Sequence, residues 1–118
     1  MFQEVTISQL ISNFASCLAY GIHDVKEETF KSFTYAGQEE ALLFIRPEYH
    51  TVEIYFYGEL VIRVEYAEDN RIWETVSIAN VLNASRSAYR PALTVIELYK
   101  DIRKINAEKM AGFTETYH

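Results

Sequence analysis

Three groups of residues in the chain have the chemistry to make a site. They are the histidines with the single cysteine, two arginines beside a tyrosine, and tyrosines set among carboxylates. The first group would serve metal binding or nucleophilic catalysis. His23 and Glu27 are four apart but follow Gly21, where a helix is expected to stop, and Glu48 with His50 gives two ligands and no third. His118 is the last residue. Zinc needs three or four converging N, S or O ligands, so no metal site is expected. Cys17 stands beside Leu18 with Phe14 one turn away, and reads as a small packing residue rather than an activated thiolate. No phosphate loop, Gly-x-Ser-x-Gly or His-Glu-x-x-His pattern occurs. No catalytic residue, enzyme activity or cofactor is expected.

The second group is Arg86, Tyr89 and Arg90, in a polar break before a helix. Two arginines four apart at a helix entrance would hold a phosphate, and Tyr89 would stack on a base. A phosphate or nucleotide binder is therefore the alternative reading, against a capping segment with two solvated arginines.

The third group is the largest. Tyr49, Glu53, Tyr55, Tyr57, Glu59 and Glu65 alternate along two expected strands. Tyrosine buries a rigid ring and keeps a polar tip, which suits interfaces. Carboxylates around the rings would steer a basic partner in a salt-sensitive way. The plainer explanation is that tyrosine suits strands and acids keep a sheet soluble. The acids are unevenly spread. Residues 1–70 hold twelve acids and four bases, a balance of −8, while residues 71–118 balance at +2.

The elements that position these groups follow from periodicity. Thr6 with Gln9 makes a capping box, Val5 and Leu10 a hydrophobic staple, and Ile7, Leu10, Ile11, Phe14 and Leu18 an apolar stripe. This predicts a helix over about 7–20, stopped by Gly21. Strands are predicted over 29–35, over 40–46 as an apolar run covered on both faces and ended by Pro47, and over 49–57 and 60–66 as a hairpin. A loop of Tyr57, Gly58 and Glu59 pairs Phe56 with Leu60, Ile54 with Ile62 and Val52 with Val64. It also sets Glu53 opposite Arg63 and Tyr55 opposite Val61. Val52, Ile54, Phe56, Leu60, Ile62, Val64 and Tyr66 then form the core face. Thr51, Glu53, Tyr55, Val61, Arg63 and Glu65 form the wetter face. Residues 71–78 read either as a fifth strand or as the lead-in to a helix. A short helix over 77–84 and a long one from about 88 or 91 to 111 complete the chain, the latter with the stripe Val95, Leu98, Tyr99, Ile102, Ile105 and Met110.

Length and composition set the frame. The chain has 118 residues, 17 acids, 11 Lys and Arg, a net charge of −6, nine tyrosines, one cysteine, 49 % hydrophobic and 24 % charged residues. That fits one folded domain over residues 1–118, without a disulfide framework. A net acidic chain is not expected to bind nucleic acid through a phosphate-seeking surface. No basic leader and no apolar run near 20 residues is present, so a membrane is not expected and the cytoplasm is. The reading is an α+β domain: an N-terminal helix, an antiparallel sheet of four to five strands, and two C-terminal helices packed on it. The expected function is that of a non-enzymatic inhibitor or adaptor occluding a basic partner, of the immunity or phage counter-defence kind. A self-assembling structural protein, a homo-oligomer built through exposed aromatics, is the third reading.

Overall fold

The computed structural model describes residues 1–22, 24–66, 72–76 (as backbone) and 90–101. Its elements are β1 (Gln3–Glu4), α1 (Ile7–Tyr20), β2 (Glu28–Phe33), β3 (Glu39–Arg46), a 3-10 turn (Pro47–Tyr49), β4 (Thr51–Phe56), β5 (Glu59–Tyr66), β6 (Ile72–Val76) and α2, helical over 90–101. The strands form one sheet in the order β1-β2-β3-β4-β5-β6. From β2 onward it is an antiparallel meander, and only β1 joins in parallel, Gln3 beside Phe30 and Glu4 beside Lys31. Of the ambiguous segment 71–78, Ile72–Val76 is thus a strand. The two-residue β1 is too short to show in any periodicity.

The start of α1 is fixed by its capping box. Thr6 Oγ1 accepts from the Gln9 backbone N–H at 3.1 Å, and Gln9 Oε1 accepts from the Thr6 N–H at 2.9 Å. Gly21 ends the helix at φ 79°, with its N–H donating to the Cys17 carbonyl. Leu10, Phe14, Cys17 and Leu18 are buried, while Ile7 and Ile11 pack at the margin. The sheet presents Phe30, Ala41, Leu43, Ile45, Val52, Ile54, Phe56, Ile62, Val64 and Tyr66 to the core, which α2 joins through Ala92, Val95, Ile96 and Tyr99. Burial of a residue such as Leu10 or Phe14 contributes about 1.5–3 kcal/mol.

Four expectations are corrected. First, β3 is not covered on both faces: its residues alternate between buried and half-buried, with Leu42 and Phe44 half-exposed on the outer side. Second, the strand expected from Tyr49 begins at Thr51, because Pro47 opens a 3-10 turn that takes up Tyr49. Third, the loop between β4 and β5 is Tyr57-Gly58, both with positive φ (50° and 80°). Two positive φ values match the twist of the flanking strands. The two-residue loop sets Phe56 opposite Glu59 and Tyr55 opposite Leu60. A bulge at the Ile54/Tyr55 step then restores the predicted pairs Ile54–Ile62, Glu53–Arg63 and Val52–Val64. Val61 is the additional residue on β5, and both it and Ile62 are buried, while Leu60 is only half-buried. Fourth, two C-terminal helices are expected, and the described residues contain one. The short helix placed at 77–84 lies outside the described residues, as do Ile102, Ile105 and Met110 of the long helix.

Candidate functional site

Three of the six tyrosine and carboxylate residues meet on the outer face of the sheet. Tyr55 Oη donates to Glu53 Oε2 at 3.2 Å, and Glu53 Oε1 receives Arg46 Nη1 at 3.5 Å. The Arg46 guanidinium lies 4.5 Å from the centre of the Phe44 ring, and that ring meets Tyr55 edge-on at 5.9 Å and 90°. Phe44, Arg46, Glu53 and Tyr55 thus close a ring of contacts across β3 and β4. Glu65 is held by Arg63 Nη2 at 3.5 Å. Burial raises the Tyr55 phenol, and the Glu53 charge and hydrogen bond raise it further, while Arg46 and Arg63 pull the other way. The Glu53 side chain is only 12 % exposed. Glu53 and Glu65 therefore already have cationic partners within the protein, which weakens them as attractors of an outside cation.

The other three residues lie elsewhere. Tyr57 and Glu59 are exposed at the β4–β5 loop, near the β2–β3 turn that carries Tyr35: the Tyr57 N–H donates to the Glu40 carbonyl. Tyr49 lies at the opposite end of β4, in the 3-10 turn. The six residues do not make one surface.

Register identifies a different acidic region. Glu28 at the start of β2 pairs with Ile45 at the end of β3, and Ile45 pairs with Val52 at the start of β4. The segment leading into β2 and the 3-10 turn after β3 are therefore at the same end of the sheet. The C-terminus of α1 joins them, because Tyr20 and Gly21 line one groove with Val25, Glu28 and Ile45. Asp24, Glu27 and Glu48 are exposed there and Glu28 is half-exposed, against Lys26. None of these four acids forms an ion pair with another described residue. Tyr20 is 83 %, Tyr49 70 % and Val25 38 % exposed. Tyr49 is the one residue of this end expected from sequence as an interface residue. Tyr20 had a signal of its own, since it falls off the apolar stripe of α1. The convergence of 24–28 with 47–49 had none, because it depends on strand pairing.

Cys17 is buried, and burial pushes its thiol up to about 12, so it stays protonated at neutral pH and is a packing residue. Among the described residues no three His, Cys, Asp or Glu side chains gather to hold a metal ion. Arg90 is exposed at the first described residue of α2, and its carbonyl accepts from Thr94 Oγ1 at 2.9 Å. Arg86 and Tyr89 lie outside the described residues. No described helix is long and apolar enough to cross a membrane. Compared with protein families, curated proteins and solved structures, the chain matches none.

Proposed function

We propose that the chain is a non-enzymatic protein-binding domain, an inhibitor or adaptor of the cytoplasm, that engages a basic partner surface. The observation that carries this reading is the end of the sheet where Asp24, Glu27, Glu28 and Glu48 form no ion pair with another described residue and stand among exposed Tyr20, Val25 and Tyr49. Aromatic rings supply contact area at low entropic cost, and unpaired carboxylates supply long-range attraction and register. The outer sheet face is the less suitable surface, since its Glu53 and Glu65 are matched by Arg46 and Arg63. An immunity or phage counter-defence role would use such a surface to occlude a basic partner.

The test is retention of partners from host lysate on the immobilised chain, at low and high salt, beside the double variant Glu27→Gln/Glu48→Gln. The reading expects a protein retained at low salt, released at high salt and lost with the double variant. Retention indifferent to both changes overturns it.

A further inference from the structure

The acidic end contains a concave feature as well as charge. A groove of about 230 Å³ runs between the C-terminal half of α1 and the paired ends of β2 and β3. Small-molecule sites usually measure roughly 300–1,000 Å³, so this groove suits one long side chain better than a free metabolite. Cys17, Phe30 and Ile45, all buried, contribute apolar lining, and the more exposed Tyr20 and Val25 line it as well. Glu28 is the one charged side chain among the described residues that line it.

Two electrostatic sources there have the same sign. One is the Glu28 carboxylate. The other is the C-terminus of α1, whose carbonyls carry partial negative charge. Helices commonly balance that end with a lysine or arginine, but α1 has no basic residue in its last turn. The apolar lining accommodates methylenes, the tyrosine ring offers a face to a planar cation, and the carboxylate accepts its N–H groups.

We infer that this groove receives an arginine side chain of the basic partner, with the aliphatic stem against Phe30, Ile45 and Val25 and the guanidinium between Tyr20 and Glu28. The inference rests on the proposed reading of the chain as a binder of a basic protein, and names the anchor of that contact. Arginine suits the groove better than lysine because its flat, weakly hydrated head both stacks and forks to a carboxylate.

The experiment titrates the full ¹⁵N-labelled chain with N-acetyl-arginine amide, and separately with N-acetyl-citrulline amide, its neutral near-isostere. The expected result is saturable shifts at the Gly21, Val25 and Glu28 amides with the arginine compound, and at least fivefold weaker binding of the citrulline compound. Glu28→Gln should weaken arginine binding at least threefold while amide shifts remote from the groove stay in place. Equal binding of the two compounds, or groove shifts unaffected by Glu28→Gln, overturns the inference. The outcomes separate from those of the lysate test. Lost retention in Glu27→Gln/Glu48→Gln without arginine-specific shifts sinks the groove alone. Arginine-specific shifts without salt-sensitive retention sink the broader reading and leave the groove standing.

Discussion

The hydroxyl of Tyr66 donates a 2.7 Å hydrogen bond to the backbone carbonyl of Cys17, joining the last residue of β5 to the last turn of α1. That carbonyl also accepts the Gly21 N–H that closes the helix. One oxygen therefore serves both the end of the helix and its attachment to the sheet. The Tyr66 phenol is held well above its usual range, first by burial and then by Cys17 and Tyr99 beside it. Removing only the hydroxyl in Tyr66→Phe leaves the ring packed and the carbonyl still bonded to Gly21. The expected loss is about 1 kcal/mol, read as a lower urea midpoint at unchanged slope. A neutral result would mean the bond adds nothing beyond ring burial.

Alkaline pH should destabilise the fold in a defined window. The Cys17 thiol is pushed up from 9.0 to about 12 by burial. Between those values the unfolded chain has released this proton and the folded chain still holds it. The contribution is thus fully present below pH 9 and is lost as pH rises toward 12, at about 1.4 kcal/mol per pH unit. Tyr66 acts with the same sign from about pH 10 upward. Urea unfolding at pH 8, 9.5 and 10.5 should show a shallower decline for Cys17→Ala than for the parent, after allowing for the smaller side chain at pH 8. Parallel declines would refute the assignment to Cys17.

The capping box makes a simpler prediction. Thr6→Ala removes the acceptor of the Gln9 N–H and should cost about 1 kcal/mol. Thr6→Ser keeps the oxygen and should recover most of it. Thermal unfolding of the two variants side by side decides the matter.

At the β4–β5 loop, a methyl group on Gly58 would meet nothing within 4 Å. Any cost of Gly58→Ala therefore comes from the backbone, held at φ 80°. The left-handed conformation costs an L-residue about 1–2 kcal/mol. A loss in that range by chemical denaturation supports the two-residue loop, whereas an unchanged midpoint would favour a different one.

The charge variant used to test binding should leave the fold alone. Glu27 and Glu48 are exposed and unpaired among the described residues, so Glu27→Gln/Glu48→Gln should shift stability by no more than about 0.5 kcal/mol. Calorimetry of the double variant is the check. A large loss would mean these acids act in the fold rather than at its surface.

Local chemistry was legible from the sequence. Thr6, Gln9 and Gly21 marked both ends of α1, and the alternation of Val52, Ile54, Ile62 and Val64 set the middle of the hairpin. Features that depend on one residue too many were not. Alternation has no mark for the bulge that leaves both Val61 and Ile62 buried, nor for the turn that removes Tyr49 from β4. The candidate site was less legible than the fold for a related reason. Sequence placed Glu53 opposite Arg63, which the register bears out, but its ion pair is the diagonal one with Arg46 on the neighbouring strand. The guanidinium groups of Arg46 and Arg63 match Glu53 and Glu65, two of the carboxylates the alternation put on the wetter face. Asp24, Glu27, Glu28 and Glu48, which pair with no cation among the described residues, lie where chain segments distant in sequence converge.

The sheet order also governs how the molecule assembles. From β2 to β6 every strand pairs with its neighbour along the chain. Each pairing closes a short loop, so the entropy of closure is small and hairpin nucleation can begin almost anywhere in the meander. β1 is different, because it reaches β2 only after the chain has run the length of α1 and returned. Its closure spans more chain than any other pairing in the sheet and is rewarded by only two paired residues, so the β2 edge it covers is guarded by little backbone pairing.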